Sequence, residues 1–397
     1  MYGSGLLLQV LIAPAQGRPF VYITEKHSNA VTIIDAATNT VVTHVSIGDS
    51  PSEIAAAPDG RLVYAVNAGD KSNDVSVIDA LTQSVVRSIP VGKQPLGVAF
   101  RPDGAFAYVT NTGADSVSVI DTVRGAVAAT IGVGKSPAGL AVTPDGATVY
   151  VTNAQNLDTP AEGGVSVIDA ATNAVTTTIS VGKNPFAVAI TPDGASAYVV
   201  NSNSLHTVAA GDVSVIDVAA NAVTTTIAVG SNPLGVAIAP DGRTAYVTDF
   251  SDNTVHVIDT ASQSVTGTVA VGNGPLGIAV TPDGRSVYVA NRQAFNFPDN
   301  GDVSVIDTMQ NAVVATIPVG SNPTGVAVVT PPTAACAADC NGDGMVSIAE
   351  LLQAVNIALG ATSLQQCPAA DVSGDGKVAV NELLAAVTAS LNGCPAP

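Results

Sequence analysis

The chain of 397 residues contains no tryptophan, and aromatic residues make up only 4% of it. Large rings therefore cannot carry its core, which has to be assembled from many small side chains. Charge is scarce at 12%, and bases are scarcest: 14 Lys and Arg stand against 32 Asp and Glu, for a formal net charge of −18. Such a surface repels nucleic acid and anionic lipid, so neither is expected as a partner; excess carboxylates suit calcium instead. No run approaches the roughly 18 consecutive apolar residues that a membrane-spanning helix needs. The four histidines, His27, His44, His206 and His256, share no metal-ligand spacing. No Gly-rich phosphate loop, nucleophile elbow or Cys–His pair is readable. Cysteine is missing until Cys336, after which Cys340, Cys367 and Cys394 follow. An even number confined to one small segment predicts two disulfides, with three pairings open and a clasp from Cys394 to the start of the segment among them.

What fills the chain is Ala, Val, Thr and Gly, a composition that favours short strands over helices. It is also repetitive. Pro-Asp-Gly recurs at Pro58, Pro102, Pro144, Pro192, Pro240 and Pro282. A tyrosine opens a β-branched run at Tyr22, Tyr64, Tyr108, Tyr150, Tyr198, Tyr246 and Tyr288. An Ile-Asp step ends another at Asp35, Asp79, Asp121, Asp169, Asp217, Asp259 and Asp307. Each unit reads as four short strands separated by turn residues, and four antiparallel strands at such a period predict a propeller blade. Seven tyrosine strands give seven blades. The first unit has only the last three strands, from Phe20 to Gly48, and the last has only the first, Gly325 to Val329. Pairing them closes the ring and removes the open edge.

The segments Tyr108-Val109-Thr110-Asn111 and Tyr150-Val151-Thr152-Asn153, set within these repeats, resemble the YVTN family of propellers over residues 18 to 330. The resemblance implies a seven-bladed all-β ring and leaves function open; relatives include bacterial and archaeal surface proteins and lactonase-type propellers. The absence of tryptophan sets the chain apart from quinone-binding propellers whose blades dock through that residue. Pro-Asp-Gly and the repeated Asp read as turn chemistry, since a group present in every blade serves every blade.

Function should appear where the blades differ. Ala154–Gly163, Ser202–Gly211 and Arg292–Gly301 are long loops on one face, the last holding Phe295 and Phe297, and that face is the expected interaction surface. Glu53 stands where other blades have glycine, Phe186 sits at an inner-strand entrance, and Glu25 and Asp249 replace the usual Asn. Carboxylates converging at the channel mouth would support a lactonase-like hydrolase with a metal; scattered, they are ordinary acidic surface.

After Pro331-Pro332 the pattern changes. Asp339 to Glu350 and Asp371 to Glu382 each fit the twelve-residue EF-hand loop. Asp339, Asn341 and Asp343, and in the second loop Asp371, Ser373 and Asp375, are the oxygen donors at positions 1, 3 and 5. Met345 and Lys377 supply backbone carbonyls, and Glu350 and Glu382 close the shell. Position 9 is Ser347 in one loop and Ala379 in the other, so the first should bind tighter; Val346 and Val378 are positioned to pair the loops. Ile348, Leu351, Leu352, Val355 and Leu359, matched by Val380, Leu383, Leu384, Val387 and Leu391, fall at helical spacing after each loop. Two loop-plus-exit-helix units in tandem resemble dockerin modules. The departures are Glu at position 12 and the pairs Ile348-Ala349 and Val380-Asn381 at positions 10 and 11, which weaken the expectation of a cohesin-like partner.

At the other end Leu6-Leu7-Leu8-Gln9-Val10-Leu11-Ile12, followed by Ala13-Pro14-Ala15, matches the end of an export signal; a frayed apolar terminus is the alternative. The expected organisation is a signal remnant over 1–15, a seven-bladed propeller over 16–330, a linker over 331–335 and a small α-helical, calcium-binding, dockerin-like EF-hand domain over 336–397. The expected protein is secreted or on the cell surface, with the periplasm as a further location. It should be non-enzymatic, hold two Ca²⁺ ions, and bind an extracellular protein or carbohydrate.

Overall fold

The computed structural model describes residues 18–69, 72–155, 162–203, 210–292, 300–331, 338–340, 346–371, 377–380, 382–384 and 386–387. The candidate signal stretch, the linker except Pro331, Cys336, Cys394, His206, Phe295 and Phe297 lie outside them. The chain divides into two compact units, of which Pro19–Val329 is one, and the C-terminal residues from Thr330 belong to the other.

The first unit is a seven-bladed β-propeller: seven antiparallel sheets of four strands each. Blades 1 to 6 come in chain order, with inner strands Pro51–Ala56, Pro95–Phe100, Pro137–Val142, Pro185–Ile190, Pro233–Ile238 and Pro275–Val280. Blade 7 joins the chain ends. Its inner strand, Pro323–Val329, pairs with Phe20–Glu25 in the register Phe20↔Val329 to Ile23↔Val326, and Ala30–Asp35 and Thr40–Ser46 complete it. The strand begins two residues earlier than the repeat alone suggests.

The turn chemistry is as expected. In Pro58-Asp59-Gly60 the Asp59 carboxylate accepts from the Arg61 amide at 2.9 Å, and Gly60 adopts φ 70°, which a side chain would resist. Asp35 accepts from the Ala37 amide at 2.7 Å, and Asp79 and Asp169 cap their turns in the same way.

The core lies between blades. Tyr150, Val165, Val167 and Ile179 of blade 3 pack against Val188, Ala197, Val199 and Ile216 of blade 4, and comparable clusters fill the other junctions. All seven repeat tyrosines are buried. Their hydroxyls reach into the next blade: Tyr150 donates to Asn221 Oδ1 at 2.7 Å, and Tyr288 to Asn39 Oδ1 at 2.7 Å across the closure. One residue type thus supplies both the apolar bulk and the polar tie.

In the C-terminal unit the helix Ile348–Ala358 opens with a capping box between Ser347 and Glu350. Helical residues recur at 380, 382–384 and 386–387. Cys340 and Cys367 form a disulfide. Ala338, Val346, Ala354, Cys367, Ala370 and Ala386 make a small core, with Leu351, Ile357, Val378 and Leu383 against it. The stripe expected to face inward is split: Leu351 and Leu383 pack, whereas Ile348, Leu352, Leu359, Val380 and Leu384 are exposed. The helix turns its Leu351–Ala354–Ile357 side toward the small core that also holds Cys340 and Cys367. No helix among the described residues is long and apolar enough to cross a membrane.

Candidate functional site

Three rings of repeated side chains surround the channel, and each is used for assembly. Nearest the axis is the glycine ring of the inner strands. A Cβ on Gly97 would lie 2.6 Å from the Ala138 carbonyl oxygen of the next blade; Gly139 would meet Phe186 O, Gly235 Leu276 O, and Gly325 Ser52 O. The bare backbone is what lets neighbouring inner strands touch.

The threonine of the Tyr-Val-Thr-Asn segment stitches that contact. Thr110 Oγ1 accepts from the Gly97 amide at 2.8 Å and donates to Ala138 O at 2.6 Å. Thr152 joins Gly139 to Phe186 O, and Thr248 joins Gly235 to Leu276 O, in the same fashion. At the closure Thr24 accepts from the Gly325 amide and donates to Ser52 O. Blades 1, 4 and 6 have Val66, Val200 and Ala290 in place of threonine; in blade 1 Ser52 Oγ donates to Leu96 O at 2.9 Å instead.

The asparagine anchors the blade interior, and in blade 2 it also pins the entering turn. Asn111 donates to Ser118 Oγ at 3.0 Å and accepts from the Gly92 amide at 2.9 Å; Asn67, Asn153, Asn201 and Asn291 donate to their own serines.

The symmetry-breaking acids separate into two kinds. Glu25 and Asp249 are buried inside their blades, at 2% and 0% exposure, and do not reach the channel. Glu25 Oε1 accepts from the Gly320 amide at 2.7 Å and from the Thr32 hydroxyl, which itself meets His44 Nδ1 at 2.7 Å. Asp249 Oδ1 accepts from the Asp252 amide at 3.0 Å, and its Oδ2 lies 3.6 Å from Nε2 of His256. His256 replaces the serine of the other blades and accepts from the Gly230 amide at 3.0 Å. Each acid thus travels with a histidine, a pairing that spacing hides because His44 faces Thr32 from the outer strand.

Glu53 is different. It alone of the three lines the channel cavity, whose wall is otherwise Leu96, Leu140, Phe186, Leu234, Leu276, glycines and small aliphatics. Glu53 is half-buried, and desolvation within the channel raises its carboxyl to about 7, with the Ile54 amide pulling the other way. The three acids do not converge, and no group of three or more His, Cys, Asp or Glu suited to a metal occurs among the described residues.

The strands that follow the three long loops are longer than their counterparts. In blades 3, 4 and 6 the outer hairpin gains an extra rung, Glu162↔Lys183, Ala210↔Ser231 and Asn300↔Ser321. The glycine beside it is obligatory: a Cβ on Gly163, Gly211 or Gly301 would strike the proline that starts the next inner strand, at 2.0, 2.2 and 2.3 Å. The signal, present in the sequence and missed, is a glycine closing each long loop.

In the C-terminal unit Asp339, Glu350, Asp371, Lys377 and Glu382 are described; Asn341, Asp343, Met345, Ser373 and Asp375 lie outside the described residues. Glu350 and Glu382 are buried, at 6% and 4% exposure. Glu350 Oε1 accepts from the Cys340 amide at 2.9 Å, and Oε2 from the amide and hydroxyl of Ser347 at 2.9 and 2.8 Å. Glu382 Oε2 accepts from the Ala379 amide at 2.7 Å. Val346 and Val378 share one core.

No family model and no curated protein matches the chain. Among solved structures, a chain of the hydrazine synthase of Kuenenia stuttgartiensis matches with a TM-score of 0.62 at 23% identity, covering 77% of this chain and 99% of that one. A functionally unknown protein from Desulfotomaculum acetoxidans matches with a TM-score of 0.66 at 17% identity, covering 79% and 99%. These likenesses establish the fold alone. At such identities a seven-bladed ring is shared, and the chemistry is left to the residues described above.

Proposed function

We propose that this protein is an exported, non-enzymatic binding scaffold: a YVTN-type propeller carrying a dockerin-like EF-hand module that takes two Ca²⁺ ions. The observation that carries the calcium reading is the path of Glu350. A buried carboxylate at position 12 returns to the amide of Cys340, beside Asp339 at position 1. That is where the closing ligand of an EF-hand loop has to be, and Ser347 at position 9 caps the exit helix as the loop requires. The donor set is all oxygen, which suits a hard cation. Asp339, Asn341, Asp343, the Met345 carbonyl and Glu350 would hold one ion; Asp371, Ser373, Asp375, the Lys377 carbonyl and Glu382 would hold the other. Calcium supplies structural closure there: it neutralises the carboxylates that crowd each loop.

Export is supported by the Cys340–Cys367 disulfide, which persists in oxidising compartments. A binding role is supported by how the repeats are spent. Repeated Asp, Thr, Asn and Tyr all serve turns and blade junctions, while the extra rungs of blades 3, 4 and 6 lie at the ends of the hairpins that lead into the three long loops expected to form the interaction face. The partner expected there is an extracellular protein or carbohydrate; a cohesin-like partner for the C-terminal module is the weaker expectation.

Isothermal titration of the full chain, freed of metal by chelator, should show two calcium sites, with Glu350→Gln removing the tighter and Glu382→Gln the weaker. Absence of saturable heat up to millimolar calcium would overturn the calcium reading. In the cells that make it, the protein should be open to a membrane-impermeant label or free in the medium; retention within intact cells would overturn export.

A further inference from the structure

At one level of the channel six positions carry no functional group: Gly97, Gly139, Ala187, Gly235, Gly277 and Gly325. Glu53 fills the seventh. The cavity beneath it has a volume of about 130 Å³, and its other bulky lining residues are Leu96, Leu140, Phe186, Leu234, Leu276 and Ile278, contributed by five different blades. Among the described residues that line it, Glu53 is the only one with a charged form near neutral pH. Of the strands beside it, Pro95–Phe100 and Pro323–Val329 carry no acid, base or histidine, and the sole titratable group on Leu62–Asn67 is Tyr64, which burial raises and keeps neutral. Phe20–Glu25, which also packs against the Glu53 strand, carries Tyr22, raised by burial, and Glu25, whose carboxylate is taken up by the Gly320 amide and the Thr32 hydroxyl within blade 7.

We propose that the channel is a binding site for a small primary ammonium ion with a compact apolar body, the ammonium seated on the Glu53 carboxylate and the body against Leu96, Leu140, Phe186, Leu234 and Leu276. A carboxylate set in an apolar wall without a countercharge is costly in its ionised form. A cation that carries its own hydrocarbon supplies the charge and covers the wall at once. The side chains disfavour a bare divalent ion, which needs several oxygens where Glu53 alone offers two. It also disfavours sugars and anions, for which the lining offers few donors. The volume favours bodies of about four to six carbons, because an engineered apolar cavity of about 150 Å³ takes benzene. The acidic surface, at −18 overall, raises the local concentration of cations.

The site predicts its own pH dependence. An alkylammonium stays charged well past neutrality, as lysine does, whereas Glu53 gains a proton below about 7. Binding should therefore be strongest in mild alkali and fall with acidification. The test is titration of the full chain, with calcium present throughout, by n-butylamine at about pH 8.5 and about pH 5.5, with n-butanol as the uncharged probe. The amine should saturate with a millimolar or tighter Kd, bind better than the alcohol, and weaken about tenfold or more both at the lower pH and in Glu53→Gln. Glu53→Gly, which restores the residue of the other blades, should lose the amine preference too, and it serves if the glutamine variant folds poorly. Equal binding of amine and alcohol, binding that survives both substitutions, or no saturation at tens of millimolar would each overturn the site.

Discussion

At the residue scale, this propeller uses the same few side chains at every blade and departs from them at identifiable cost. Glu53 is the clearest departure. Its folded pKa of about 7 lies above the ordinary value of 4.5, so the fold favours its protonated form. Its contribution to stability is therefore fully present below about pH 4.5 and lost as pH rises through about 7. Glu53→Gln should match the wild type near pH 4 and exceed it in alkali, by about 1–3 kcal/mol after discounting for channel water. Denaturant unfolding at both pH values reads this directly; equal stability of the two proteins in alkali would contradict the burial of the charge. The threonine stitch is the converse case. Thr152→Val keeps the shape but leaves the Gly139 amide and the Phe186 carbonyl without their shared partner, at an expected cost of about 1–3 kcal/mol. Val200, where valine already stands, is the control: Val200→Thr should change the midpoint much less. A Thr152→Val protein that unfolds with the wild type would show that the stitch adds nothing.

At the element scale the third-to-fourth-strand hairpins of blades 3, 4 and 6 are one rung longer than those of the other blades. The rung Ala210↔Ser231 exists because Gly211 lets the third strand of blade 4 pass over Pro233. Gly211→Ala puts a methyl 2.2 Å from Pro233 Cδ, so the strand end must lift. The expected loss is about 1–3 kcal/mol, as for other overpacked positions. Amide exchange should quicken in the residues around the rung and stay slow in the equivalent turn of blade 5, whose outer strand stops at Ala270. Uniformly unchanged exchange would mean that the rung does not depend on the glycine. In the C-terminal unit the helix Ile348–Ala358 is tied at its start by Ser347 and Glu350 and across its buried side by the Cys340–Cys367 disulfide. A core of so few and such small side chains is weak by itself, which is why metal binding should matter there far more than in the propeller.

At the scale of the whole molecule the closure of the ring governs. Tyr288 reaches Asn39, Thr24 accepts from Gly325, and Pro323–Val329 pairs with Phe20–Glu25, so blade 7 depends on residues some 300 positions apart. A chain ending at Gly320 loses the inner strand, leaving Phe20–Glu25 with unpaired amides and carbonyls toward the channel. A chain ending at Pro331 keeps the strand and loses only the C-terminal residues beyond it. The shorter chain is expected to be markedly less stable or to aggregate through its open edge, while the longer one keeps the melting behaviour of the propeller. If both melt together, closure is not what holds the ring.

The repeat carried the architecture because each blade is locally coded: turn glycines, capping aspartates and alternating β-branched runs act over a few residues and recur seven times. The number of blades and the shared seventh blade come from counting. The proposed calcium loops are likewise local, twelve residues each, so the donors expected in them can be named without coordinates. The function of the symmetry-breaking residues is not local. Glu25, Glu53 and Asp249 look alike in the sequence as acids at odds with the repeat, yet two are buried beside histidines within their blades and one lines the channel. That Glu53 faces a cavity walled by five other blades depends on which of seven strands meet at the axis and how closely glycine lets them approach. Only the closed ring brings those atoms together.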